Sequence, residues 1–225
     1  MDSLIWTDNV NRYFKSGTEK LHVLKNISIS IEPKSLTILK GRSGSGKTTL
    51  INLLSVLDRP DSGEIFFDGI KVTALNERER DKVRRSNMGF VFQAVSLISL
   101  MSAYENVEFG LRVAGFDTSK RQKRAEECLN LVGLQKRMNH RVHELSGGEQ
   151  QRVAIARAIA HKPKVIFADE PTAELDSHMG LQVMKLFKDL VTNDGITVVM
   201  SSHDPNIIEL ADHVYSLQDG EIVNE

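Results

Sequence analysis

Three stretches of this chain hold residue types whose spacing can do chemistry. Gly41-Arg42-Ser43-Gly44-Ser45-Gly46-Lys47-Thr48 fits G-x-x-x-x-G-K-[ST]. In such a loop the glycines let the backbone curl, so that successive N–H groups converge on phosphate oxygens. Lys47 is a flexible point charge suited to β- and γ-phosphates, and the Thr48 hydroxyl is suited to Mg²⁺. Val165-Ile-Phe-Ala-Asp169-Glu170 sets a carboxylate at the end of an apolar run, where ligands sit in open parallel sheets. Asp169 is expected to hold Mg²⁺ directly or through water. Glu170 is expected on the other side of the strand, polarising a water in line with the γ-phosphate. Leu145-Ser146-Gly147-Gly148-Glu149-Gln150 opens a helix with small residues, which makes a second helix start able to receive phosphate. One nucleotide does not easily need two such cradles from one subunit. A head-to-tail dimer resolves this, each nucleotide lying between one subunit's Lys47 loop and the other's Ser146 loop.

These stretches need elements to hold them. Ser35–Lys40 reads as a short buried strand feeding the glycine loop, and Leu50, Ile51, Leu53, Leu54 and Leu57 recur after it at helical spacing. Residues 4–14 and 20–31 read as strands, the latter through the alternation of Asn26-Ile-Ser-Ile-Ser-Ile31. Glu64–Asp68 and Met88–Gln93 add two more. Residues 75–85 mix Arg and Glu and read as a solvated helix. From about 94 to 160 the pattern is helical: Ala103–Ala114, a charged helix capped by Ser119 and ended by Gly133, and one opened by Ser146. Strand 164–169, helix 177–192, strand 196–201, helix 205–211 and a hairpin at Asp219-Gly220 follow. This rhythm implies a parallel α/β core with a helical insertion.

The bulk numbers narrow the function. The 225 residues suffice for one substantial domain, 40% of them hydrophobic and 26% charged, with a formal net charge of −1. That balance gives no basis for binding nucleic acid or an anionic membrane surface. A single cysteine, Cys128, excludes an internal disulfide framework. No apolar run approaches the roughly 20 residues that span a bilayer, and Met1–Asp8 lacks the pattern of a signal peptide. The expectation is a cytoplasmic protein that reaches the inner face of the membrane through a partner.

Leu145-Ser-Gly-Gly-Glu resembles the L-S-G-G-Q signature of the ATP-binding cassette (ABC) family, with Glu149 as a common variant at the fifth place. The resemblance covers essentially the whole chain and rests on the phosphate loop, the signature and the Asp169-Glu170 strand in this order. It implies a P-loop NTPase (RecA-like) core with an antiparallel β subdomain, formed by residues 1–93 and 161–225, and a helical subdomain over 94–160. It implies ATP and Mg²⁺ as cofactors, and hydrolysis of ATP to ADP and phosphate. ATP would be held by Gly41, Ser43, Gly44, Ser45, Gly46, Lys47, Thr48 and Thr49. Tyr13 matches the aromatic residue that stacks on adenine. Gln93 matches the glutamine that senses the γ-phosphate and Mg²⁺, and His203 the switch histidine on the γ-phosphate. The metal would lie among Thr48, Gln93 and Asp169, with Glu170 as the base. Ser146, Gly147, Gly148 and Glu149 would act across the dimer, as would Asp176. Ala173-Glu174-Leu175-Asp176 departs from the family's Ser-Ala-Leu-Asp or Gly-Ala-Leu-Asp, placing the charge of Glu174 near the dimer seam.

Gly41–Leu54, Leu57-Asp-Arg-Pro-Asp-Ser-Gly-Glu and Met88-Gly-Phe-Val-Phe-Gln together are similar to the macrolide-exporter and lipoprotein-releasing group, which also holds antimicrobial-peptide resistance ATPases. This implies a subunit driving a membrane permease that docks near Gln93, with Leu97, Ile98, Leu100 and Met101 as candidates for the groove. An amino-acid importer ATPase, or a non-transport signalling or division complex, is the alternative. A DNA-repair ATPase would need a long coiled coil, and a translation factor two cassettes.

Overall fold

The structure, a computed structural model, describes residues 3–17 and 19–223. Its strands are β1 (Ile5–Ser16), β2 (Glu19–Ile27), β3 (Ser30–Ile31), β4 (Leu36–Lys40), β5 (Ser62–Phe67), β6 (Ile70–Lys71), β7 (Met88–Val91), β8 (Val165–Asp169), β9 (Thr197–Ser202), β10 (His213–Gln218) and β11 (Glu221–Val223). Its α-helices are α1 (Lys47–Leu54), α2 (Glu77–Asn87), α3 (Ala103–Val113), α4 (Thr118–Leu131), α5 (Gly147–Ile159), α6 (Ser177–Asp194) and α7 (Pro205–Ile208).

The main sheet runs β11-β10-β4-β9-β8-β7, parallel except for the β10–β11 hairpin at its edge. β4, β8 and β9 are buried along almost their whole length, as continuous apolar runs covered on both faces must be. Period-two alternation divides their side chains between two cores. Leu39, Phe167 and Val199 join Leu50 and Leu53 of α1. Ile38, Ile166 and Met200 join Ile155 of α5 and Val183 and Phe187 of α6. Each such fully buried side chain contributes roughly 1.5–3 kcal/mol. β1, β2, β3, β5 and β6 make a second, antiparallel sheet over α1. Because β4, β8 and β9 are parallel, the glycine loop, Asp169 and Ser202 all leave from the same edge, the edge where open α/β sheets bind ligands.

Four local expectations change. The strand over 20–31 breaks after Ile27. The Thr7 hydroxyl enters the ladder there, donating to the Ile27 carbonyl and accepting the Ile29 N–H, each at 3.0 Å, and Asn26 turns to φ 50°. α4 is capped by Asp117, whose Oδ1 accepts both the N–H and the hydroxyl of Ser119; an aspartate two residues earlier outcompetes the serine. The helix over 205–211 shortens to Pro205–Ile208. Finally, α2 is not simply solvated. Arg80 is 4% exposed and donates from Nη2 to the carbonyls of Val56 (2.6 Å) and Asp58 (2.7 Å). Arg84 Nη1 reaches the same Val56 carbonyl at 2.9 Å. Burial lowers the Arg80 pKa, yet the group sits just past the C-terminal end of α1, where a cation is favoured. Val56, a β-branched residue at φ 62°, is held in this costly conformation by the two guanidinium groups.

Cys128 is fully buried in α4 and its thiol is pushed up to about 11 by that burial, which makes it packing rather than a reactive group.

Candidate active site

The loop from β4 to α1 turns on two glycines with positive φ, Gly44 at 81° and Gly46 at 107°. At Gly46 a Cβ would stand 2.9 Å from Leu24 Cδ2 and 3.2 Å from the Val23 carbonyl. The residue must therefore be glycine for space as well as for φ. Lys47, 6% exposed, lays its ammonium across the loop, donating to the carbonyls of Gly41 (2.9 Å) and Arg42 (3.3 Å). Nζ is also 3.4 Å from Glu170 Oε1. Arg42 itself points its side chain into solvent.

Both carboxylates arrive at this loop. The Thr48 hydroxyl donates to Asp169 Oδ2 at 2.8 Å. Glu170 does not take the far side of the strand. It sits at φ 44°, and this left-handed turn swings it back to the cleft, between Lys47 and His203, whose Nδ1 is 3.1 Å from Oε2. His203 is 68% exposed, so its partner on the open side is solvent. A cleft of 240 Å³ is lined by Val23, Ser43, Gly44, Gly46, Lys47, Thr48, Thr49, Gln93, Asp169 and Glu170. Gln93 follows β7 by two residues, exposed on the cleft's rim. Thr48 Oγ1 and Asp169 Oδ2 are hard oxygen donors of the kind Mg²⁺ takes. Among the described residues no group of three or more His, Cys, Asp or Glu could hold a metal by itself. The donor set thus fits a cation that arrives together with phosphate oxygens.

Other candidate residues stand apart from this cleft. Tyr13 stacks on His22 with ring centroids 4.0 Å apart, and Lys20 Nζ lies 4.1 Å from the Tyr13 ring centre. An aromatic plane is therefore present, part of it already covered. Ser146 is the N-cap of α5 in a capping box: its hydroxyl accepts the Glu149 N–H (3.3 Å), and its own N–H donates to Glu149 Oε2 (2.9 Å). That backbone bond holds the Glu149 carboxyl below its usual range, with Arg137 3.4 Å away. Glu at the fifth signature position thereby closes the cap. Gly147 has open space around it, whereas a Cβ on Gly148 would meet Met179 Cε at 2.6 Å. Asp176 caps α6 by accepting the Met179 N–H at 2.9 Å. None of Ser146, Gly147, Gly148, Glu149 and Asp176 lines the cleft.

Two residues not expected from the sequence also belong to the site. Val23 lines the cleft from β2. Ser201, fully buried in β9, donates to Asp169 Oδ1 at 2.6 Å and accepts the Glu170 N–H at 2.9 Å. The motif Met200-Ser-Ser-His carried a signal for it, a hydroxyl inside an otherwise apolar strand next to the histidine.

The sequence profile of the ABC transporter family matches residues 24–173. The chain is 45% identical over 220 residues to an uncharacterized ABC transporter ATP-binding protein of Methanocaldococcus jannaschii, MJ1508, covering 98% of each. It is 43% identical over 221 residues to the macrolide export ATP-binding/permease protein MacB of Wolinella succinogenes, covering 98% of this chain but only 34% of that one. Among solved structures, the dimeric post-hydrolysis state of the ATP-binding cassette MJ0796 bound to ADP and Pi aligns with a TM-score of 0.91 at 42% identity, over 98% of this chain and 97% of that one; MJ0796 is also from M. jannaschii. The cbiO1 protein of Clostridium perfringens, part of an ABC transporter complex, aligns with a TM-score of 0.89 at 30% identity, over 100% and 88% of the two chains. Phosphate loop, paired carboxylates, signature helix and these likenesses extend over nearly the whole length, and the chain belongs to the ABC transporter family as one of its ATPase cassettes.

Proposed function

We propose that this chain is the ATP-hydrolysing subunit of an exporter- or extractor-type ABC transporter, working as a head-to-tail dimer around two ATP. The observation that carries the reading is the asymmetry of the site. Lys47, Thr48, Asp169 and Glu170 converge on one cleft, while the capped Ser146 helix start and Asp176 lie outside its lining. A second copy supplies what the first leaves open. The solved MJ0796 dimer supports that arrangement. In this reading residues 1–93 and 161–225 form the nucleotide-binding core, and 94–160 the lobe that brings Ser146 to the partner's nucleotide.

Each residue then has a task. Loop N–H groups and Lys47 neutralise phosphate charge, and the Lys47 ammonium exchanges its present carbonyl and Glu170 contacts for phosphate oxygens. Glu170, freed of Lys47, takes the proton of the attacking water. His203 holds the open face of Glu170 and stands where a γ-phosphate would meet it. Tyr13 offers its ring to adenine, displacing the Lys20 ammonium. Thr48, Asp169 and Gln93 would hold Mg²⁺, which when bound adds positive charge against the phosphates. The partner's Ser146 turns its hydroxyl proton to the γ-phosphate. The isolated chain should bind ATP yet turn it over at a rate that rises more steeply than linearly with protein concentration. Strictly linear turnover at low concentration would exclude the shared site.

The macrolide export relative carries ATP-binding and permease functions in one chain, and among the described residues here no helix is long and apolar enough to cross a membrane. We assign the docking of a permease segment to the apolar groove of 470 Å³ between α2, β7, α3 and α5. Its floor includes Phe90, Phe92, Ile98, Phe109 and Val113, and its rim includes Arg84. Its lining differs from the residues expected from sequence. Of the four named from sequence only Ile98 lines it; Leu97 packs against the neighbouring core, Leu100 is 82% exposed, and Met101 lies outside the lining. Phe109→Asp is expected to abolish co-purification with the permease while leaving ATP affinity unchanged. Loss of ATP affinity instead would place Phe109 in the supporting core.

A further inference from the structure

The hydroxyl of Ser201 lies between the two carboxylates of the site, and its chemistry admits a single arrangement. A hydroxyl has one proton, and a carboxylate oxygen only accepts. Ser201 Oγ–H therefore donates to Asp169 Oδ1 at 2.6 Å, and its lone pairs receive the Glu170 N–H at 2.9 Å. The direction of both bonds is forced. Asp169 and Ser201 are directly paired across the parallel β8–β9 ladder, and Ser201 is fully buried, so water does not compete for either bond.

We infer that Ser201 is a positioning residue that sets the two carboxylates against each other, one toward the cation and one toward the attacking water. The inference rests on the ATPase reading above. With Oδ1 occupied, Asp169 presents Oδ2 to Thr48 and the cleft. With its N–H bound, Glu170 is anchored at the point where its backbone turns to φ 44°, a region that L-residues enter at a cost. That turn is what brings its side chain to Lys47 and His203. The neighbouring Ser202 has a different duty, accepting the Asp204 N–H at 3.2 Å in the turn after β9. Ser201→Ala removes the bridging hydroxyl with almost no change of shape; Ser201→Thr keeps it.

The test uses the full chain and four readouts: melting temperature, affinity for a fluorescent ATP analogue in EDTA, the Mg²⁺ concentration at half-maximal enhancement of that binding, and kcat with KM for ATP. Ser201→Ala is expected to lower kcat and raise the Mg²⁺ midpoint each by roughly 10–100-fold, as loss of a ligand-orienting partner does, with KM and metal-free affinity within about twofold. Ser201→Thr is expected to restore both. If the alanine variant does not fold, Ser201→Cys, a weaker donor, replaces it, and the expected order of activity is Ser, Thr, Cys. Wild-type kcat and Mg²⁺ midpoint in Ser201→Ala would overturn the inference. So would an equal loss of metal-free affinity, or a threonine variant as impaired as alanine at an unchanged melting temperature. A wild-type chain that neither binds Mg²⁺-ATP nor hydrolyses it would instead overturn the proposed function.

Discussion

Glu170→Gln is expected to reduce ATP turnover by roughly 10²–10⁴-fold, the usual contribution of a positioned general base, while ATP binding persists and ATP-dependent dimers accumulate. The amide keeps the size of the carboxylate, so the left-handed turn at Glu170 and its N–H bond to Ser201 remain. What disappears is the proton acceptor and the negative charge that faces Lys47 at 3.4 Å and His203 at 3.1 Å. Removing that charge also frees the Lys47 ammonium for phosphate, so nucleotide affinity is expected to hold or increase. Single-turnover hydrolysis together with size-exclusion chromatography in ATP checks both halves. Wild-type hydrolysis in this variant would take Glu170 out of the chemistry, and turnover lost together with ATP binding would make it a structural residue.

Gly46→Ala is expected to be far more damaging than Gly44→Ala in the nucleotide loop. Two penalties coincide there. The backbone is at φ 107°, and a Cβ would press on buried Leu24 and on the Val23 carbonyl, a backbone atom that cannot rotate away. Strain and overpacking each cost about 1–3 kcal/mol, which together lower the melting temperature of a chain of this size by about 4–24 °C and distort the loop that must hold phosphate. Gly44→Ala separates the two penalties. Gly44 is also at positive φ, 81°, but a Cβ there meets nothing within 4 Å, so it should lose only the strain share. Differential scanning fluorimetry and ATP-analogue titration give the comparison. Equal losses in the two variants would show that the packing of β2 against the loop contributes nothing.

The contrast between these glycines and Ser201 shows what a sequence makes legible. The loop is legible because its geometry is local: glycines, lysine and threonine lie within eight residues, and the flanking strand and helix have their own periodicities. The β8 strand was legible for the same reason. Ser201 was not, because its role depends on β8 and β9 lying side by side in one register, with Asp169 opposite Ser201, and nothing along the chain states that register. The place of Glu170 failed through a related limit. Alternation along a strand sends it to the opposite face, and only the turn at φ 44° returns it to the cleft. Arg80 was misread because an Arg- and Glu-rich helix has the composition of a solvated one; its burial comes from the Val56 and Asp58 carbonyls 24 and 22 residues earlier. The lining of the proposed groove was not legible along the chain, since Phe109 and Val113 reach it from α3 and Phe90 and Phe92 from the segment around β7.

The clamp of Arg80 and Arg84 on the Val56 carbonyl carries a thermodynamic consequence. α1 begins at the phosphate loop and ends, eight residues and about 12 Å later, two residues before the one that carries that carbonyl. Arg84 belongs at once to this clamp and to the wall of the groove, and Leu57, the next residue, lines the groove too. A single short rod thus has the nucleotide loop at one tip and the proposed docking groove beside the other. Linkage between such ends is reciprocal: by whatever factor occupancy of the groove changes the affinity for ATP, ATP changes the affinity for the groove's occupant by the same factor. Measuring either affinity with the other ligand present and absent therefore yields the free energy that this cassette can pass from one tip to the other.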